Sequence, residues 1–227
     1  MTLSLRLELL LGLSLVLSFF SWGRRVLFPF QIFTTWIHEC CHAVTALLLG
    51  GSSIRITISP DGSGLTHYQI TSGKIRQAII ASAGYLGASV CGCFIFLLAV
   101  GTEKLPHYWN VHSMVIFLCV LIGLSLLIWI RNAFGFFSTL ILGGAIFALN
   151  YSPLDHYANE VLLFISIQTA LNALFDIRML LGLNSSKKNT SDAHILQKIF
   201  YLPHWFWAIT WLSISMLMMY GTLRLVI

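Results

Sequence analysis

Long apolar runs separated by short polar breaks dominate the chain. Segments 7–22, 26–49, 78–100, 111–130, 134–150, 160–183 and 205–225 each read as a membrane crossing, bounded by charged, Gly, Pro or Asn residues. Only the stretch between the second and third runs has a different period. There Ile54-Arg55-Ile56-Thr57-Ile58 alternates apolar and polar side chains, Pro60-Asp61-Gly62-Ser63-Gly64 is a turn cluster, and Leu65-Thr66-His67-Tyr68-Gln69-Ile70 returns as a second extended segment. The pattern predicts an all-α polytopic membrane protein of about six or seven transmembrane helices, with a short β-hairpin over about 54–70. No stretch is left for a soluble domain, so residues 1–227 read as one membrane-embedded unit. The first run has no small-residue cleavage site before Arg24-Arg25 and leads straight into the second, so it reads as a span and not a leader peptide.

Composition agrees: 57% of residues are hydrophobic, 9% are charged, and mean hydropathy is +0.84, all outside soluble globular usage. With seven alternating spans, Arg6, Arg55, Lys74, Arg76, Arg131, Arg178, Lys187, Lys188 and Lys198 fall on one side of the membrane. Arg24, Arg25, Lys104 and Arg224 fall on the other. That asymmetry predicts a cytoplasmic N-terminus. It also accounts for the formal charge of +5 as topology and attraction to anionic headgroups, and the basic residues are too dispersed for a nucleic-acid groove. Cys40, Cys41, Cys91, Cys93 and Cys119 all lie within predicted spans and read as reduced packing residues, with no disulfide framework.

Four ionisable groups do not fit lipid: His38, Glu39 and His42 in the second run and Asp176 in the sixth. At that depth each costs several kcal/mol unless it is paired, faces a polar cavity or binds metal. Residues i and i+4 of a helix are separated by about 40° in azimuth and about 6 Å in rise, so His38 and His42 project side by side and can share one ion. Glu39 is offset by about 100°, beside the ion but not forced to ligate it. Two imidazoles holding Zn²⁺ with a carboxylate that deprotonates zinc-bound water is the logic of an H-E-x-x-H hydrolase.

A catalytic zinc takes a third protein ligand and keeps one position open. Asp176, the other deep acid, is the first choice. The second and sixth runs are parallel in the seven-span reading, and at ~1.5 Å per residue the depths of His38 and Asp176 agree to within about 6 Å. Asp192, in the polar stretch Ser191-Asp192-Ala193, is the alternative and looks like a helix N-cap. Asn172, one turn before Asp176, is placed to bind the substrate backbone or a developing oxyanion. His67 reads as a surface residue.

These segments carry a family resemblance. The span with His38-Glu39-Cys40-Cys41-His42-Ala43, then Gly50-Gly51, the hairpin, Ala83-Gly84-Tyr85-Leu86-Gly87, Arg131-Asn132-Ala133-Phe134-Gly135 and Ser191-Asp192-Ala193 together resemble the site-2-protease class of intramembrane zinc metalloproteases, in its small peptidase M50B-like branch. The resemblance covers about residues 30 to 205. It implies hydrolysis of peptide bonds of transmembrane protein substrates within the lipid bilayer, with zinc held by His38, His42 and an aspartate and with Glu39 as general base. Better-studied members place that aspartate in an Asn-Pro-x-Pro-x-x-x-Leu-Asp-Gly signature, of which this chain keeps only Asn172 and Asp176. A free edge of the hairpin can hold an extended substrate by strand addition, which addresses the need to unwind a helix before its amides are attacked. The rival expectation is a non-enzymatic metal-binding membrane protein, a carrier or an inactive protease-like scaffold.

Overall fold

The structure, a computed structural model, describes residues 3–71, 73–104, 110–151, 153–182 and 191–226, with the backbone alone at 102–104 and 172–182. In order it comprises α1 (Leu3–Phe19), α2 (Ser21–Leu48), β1 (Ser52–Ile58), β2 (Gly64–Gln69), α3 (Lys74–Lys104), α4 (Val111–Ile128), α5 (Ala133–Ala148), a 3₁₀ turn at Asp155–Tyr157, α6 (Ala158–Gly182), α7 (Asp192–Phe200) and α8 (His204–Val226). The chain is thus mostly helical with one small antiparallel sheet. Three described helices, α3, α4 and α8, are long and apolar enough to cross a membrane, and α1 with α2 adds a fourth if that bent pair is one span. At ~1.5 Å per residue the 16 residues of α5 reach only about 24 Å, short of the ~30 Å hydrocarbon layer.

The expected first and second spans correspond to this bent pair. A 119° bend folds α1 back against α2. Phe20, in extended conformation, breaks the helix, and Gly23 lets the chain return, because a Cβ there would overlap the Leu17 carbonyl. Arg6 Nη1 then donates to Glu160 Oε1 at 2.9 Å, placing the start of α1 beside the start of α6. Strict alternation of seven spans puts those two residues on opposite sides of the bilayer. The ion pair is incompatible with that alternation and removes the support for a cytoplasmic N-terminus drawn from it.

Helix α3 lies at the centre, against α2, α6 and α8. Its small residues permit close approach, the usual device where lipid supplies no hydrophobic drive between helices. Gly92 faces Thr169 and Ser166 of α6, and Gly87 seats the Cys41 thiol of α2, where a Cβ would come within 2.5 Å of Sγ. Ser89 and Ser215 share a 2.6 Å hydrogen bond between α3 and α8. The Trp36 indole N–H donates to Ser125 Oγ at 2.8 Å, joining α2 to α4. All five cysteines are free thiols.

The hairpin forms where the alternation predicted it. β1 pairs antiparallel with β2, with Arg55 opposite His67, Ile56 opposite Thr66 and Thr57 opposite Leu65. Its other side is occupied by the corner between α4 and α5. Ile56 N–H donates to the Trp129 carbonyl (2.8 Å) and Ile56 C=O accepts from Arg131 N–H (3.1 Å). The Asn132 amide closes on Ile58 in the same way, accepting from its N–H at 3.1 Å and donating to its C=O at 2.7 Å. Since alternate residues of a strand aim their amides at opposite edges, Arg55 and Thr57 face β2, and Leu65 and His67 face β1. The amides of Thr66 and Tyr68 point away from β1, along the other edge of β2.

Candidate metal centre

One face of α2 is polar over three turns: Gln31, Thr34, Thr35, His38, Glu39 and His42 recur at the spacing i, i+3, i+4, i+7, i+8, i+11. This stripe faces inward at its C-terminal end, where Glu39 and His42 are buried. It lines a cavity of about 380 Å³ closed by the hairpin turn, by Thr66 and Tyr68 of β2, and by Asp192 and Ile195 of α7. The glycines of the turn bring the hairpin onto the helix. Gly62, at φ +85°, presents its carbonyl to the Thr35 hydroxyl at 2.7 Å, and Gly64 lies against Glu39.

Within the cavity three ligand atoms converge. His38 Nε2 and His42 Nε2 are 3.0 Å apart, and Asp192 Oδ2 lies 3.3 Å from the first and 3.2 Å from the second. A tetrahedral zinc site with bonds of about 2.0–2.1 Å has ligand-to-ligand edges of about 3.3 Å, so the triangle is of the right size for three of four positions. The tautomer of His42 also fits. Its Nδ1 is 2.7 Å from the Ile80 carbonyl, a contact in which the nitrogen must donate, leaving the Nε2 lone pair for a cation. The third observation is Gly84 of α3. A Cβ at this position would run into His38 Nε2 and His42 Nε2, so the hydrogen side chain leaves open the space beside both nitrogens. Tyr85 packs edge-on against His38, with ring centroids 4.8 Å apart, and stacks on Trp211 of α8.

Burial alone would raise the Asp192 carboxyl, but His42 and His38 more than offset it and hold the group well below the usual carboxylate range. It is therefore an anion facing two imidazoles. Tyr68 is shifted the other way: burial, and then the Asp192 charge, push its phenol up, so it stands at the cavity as a neutral O–H donor. Glu39 is buried, and its carboxylate accepts from the Thr66 hydroxyl at 2.6 Å.

Of the residues singled out from sequence, His38, Glu39, His42 and Asp192 meet in this one cavity. Asp192 is the first residue of α7, with Ser191 at the N-cap position. Asp176 and Asn172 lie on α6, and their side chains are outside the described residues. His67 is exposed. Thr66 and Gly84 stand in the sequence only as parts of the hairpin and of a glycine motif, with nothing in their spacing to place them at the site. The polar period along α2 was a readable sign that a whole face, and not three residues, is withdrawn from lipid.

Bundle and site together define an integral membrane protein with a His-His-Asp group of metal-ligand type beside a buried carboxylate. A model of the Peptidase M50B-like family matches residues 11–222, and the chain belongs to that family of membrane metallopeptidases. No curated protein and no solved structure matches it.

The fit of Gly84 carries a prediction. Gly84→Ala is expected to weaken zinc binding about 10-fold or more with helical content unchanged, since the added methyl group occupies the ligand space and an α-helix otherwise favours Ala. Metal content after equilibration with a competing chelator checks this, and wild-type affinity in the variant would contradict the assignment.

Proposed function

We propose that the protein is an intramembrane zinc metalloendopeptidase acting on membrane-spanning protein substrates. His38, His42 and Asp192 hold the metal and Glu39 is the general base. The observation that carries this reading is the meeting of the three ligand atoms with Glu39 in one cavity of about 380 Å³, at the end of a polar stripe that lipid could not accommodate. Asp192 is preferred to Asp176 as third ligand because its Oδ2 already lies 3.2–3.3 Å from both imidazoles.

When bound, zinc supplies a Lewis acid that polarises the scissile carbonyl and acidifies water. Glu39 accepts a proton as water attacks the carbonyl carbon and returns it to the amine nitrogen as the C–N bond breaks. The outer edge of β2 offers the amides of Thr66 and Tyr68 to an extended substrate, holding unwound backbone beside the base. A second cavity of about 590 Å³, lined by Tyr68, Ile70, Ile195 and Lys198, adjoins the first and extends this cleft between β2 and α7.

The hairpin side is assigned to the cytoplasm on charge. Arg55, Lys74, Arg76 and Arg131 border the hairpin and Lys198 the adjoining cavity, a local excess of basic residues of the kind that marks a cytoplasmic face. Water then enters from that face.

The test is metal removal. Single-span reporter proteins, tagged at both ends, are reconstituted with the purified protein and scored for fragments. Treatment with 1,10-phenanthroline is expected to abolish the fragment, and added zinc to restore it. A fragment that persists after the metal has been shown to be gone would refute a metallopeptidase.

A further inference from the structure

We propose that Thr66 is a positioning residue for Glu39: its hydroxyl fixes the base at the angle from which it takes its proton. This rests on the reading of Glu39 as general base. Thr66 Oγ1 lies 2.6 Å from Glu39 Oε2 and 3.0 Å from the Glu39 main-chain carbonyl, so one hydroxyl spans the side chain and backbone of the same residue. On the opposite side Gly64 closes on the other oxygen, where a Cβ would stand 2.6 Å from both Oε1 and Cγ. Strand β2 thus borders the carboxylate at both oxygens, with a hydroxyl donor at one and a residue without a side chain beside the other.

A grip is needed because the last torsion of a glutamate side chain is soft and roughly two-fold, so an unheld carboxylate sweeps a wide range of angles. A hydroxyl donating to an ionised carboxylate is among the stronger hydrogen bonds, and its length is in that range. The placement also links the base to the substrate. Thr66 sends its side chain to Glu39 while its amide points to the open edge of β2, so a strand docked there contacts the residue that aims the base. Threonine is also suited to the backbone it occupies, since a β-branched residue is stiff at χ1 and favours a strand.

The experiment measures the affinity of acetohydroxamate for the zinc-loaded, detergent-purified protein. When a hydroxamate chelates a metal its hydroxyl proton passes to a neighbouring carboxylate, so its dissociation constant reports how Glu39 is held. Thr66→Val, of the same shape but without the donor, is expected to weaken the probe about 5- to 20-fold with zinc content unchanged, and Thr66→Ser to bind within about 3-fold of wild type. Glu39→Gln is expected to weaken it at least as much, and Thr66→Val to add nothing in the Glu39→Gln background. Wild-type affinity in Thr66→Val, a Thr66→Ser variant as weak as Thr66→Val, or an undiminished effect of Thr66→Val on top of Glu39→Gln would each overturn the assignment. If Glu39→Gln itself leaves the affinity unchanged, it is the role of Glu39 as base that fails. Thr66→Ala, read with thermal unfolding, replaces Thr66→Val if the latter misfolds.

Discussion

Asp192→Asn is expected to strip the purified protein of zinc, with an affinity loss of about 100-fold or more, while Asp176→Asn keeps its metal. The asparagine preserves the shape that meets His38 and His42 but removes the charge, leaving a neutral oxygen of little value to a divalent ion. Outer partners of metal ligands already cost 10- to 100-fold when removed, and a direct ligand costs no less. The change should not unfold the protein. At the first turn of α7 the lost interaction with the helix dipole is worth about 0.3–1 kcal/mol, and a neutral side chain is easier to bury than a carboxylate. Metal analysis of both variants beside His38→Ala and His42→Ala settles the ligand set. Zinc lost with Asp176 and kept with Asp192 would reverse it.

Glu39→Gln separates hydrolysis from every reading in which metal is merely bound. A general base contributes about 10²- to 10⁴-fold, so cleavage should fall by at least ~100-fold. Zinc content should not change, because Glu39 lines the cavity without belonging to the triangle of ligand atoms. Glutamine matches glutamate in size and still accepts from the Thr66 hydroxyl, so the hairpin stays seated. Cleavage at the wild-type rate in this variant would remove Glu39 from the mechanism. A defect in metal transport with no cleaved product from the wild type would instead favour a non-enzymatic carrier.

How much of this was legible in the chain follows from what each signal measures. His38, Glu39 and His42 declared themselves because local spacing alone brings them together, and three ionisable groups in an apolar run demand an explanation. The hairpin was readable for the same reason: a period of two is a local property. Hydropathy, however, measures length and not direction. It reads 7–22 and 26–49 as successive crossings in strict alternation and has no means of registering that Arg6 meets Glu160. Asp192 comes second to Asp176 in the sequence because it lies in a polar stretch and reads as a helix N-cap, whereas Ser191 takes the cap and Asp192 is the first residue of α7. Gly84 was noticed as part of a motif, but its purpose depends on which way His38 and His42 point, and only the packing of α3 on α2 reveals that.

Two long-range contacts, Arg6 to Glu160 and His38 to Asp192, each bridge 154 residues of sequence. At about 5–20 residues per second of synthesis, the second partner emerges on the order of ten to thirty seconds after the first. During that interval the nascent chain carries His38, Glu39 and His42 without Asp192, and α1 without the Glu160 carboxylate. The order of the genetic message therefore acts as a timer: the His-His-Asp cluster can form only after Asp192 has been made, and a chain that stops short of it would lack that carboxylate.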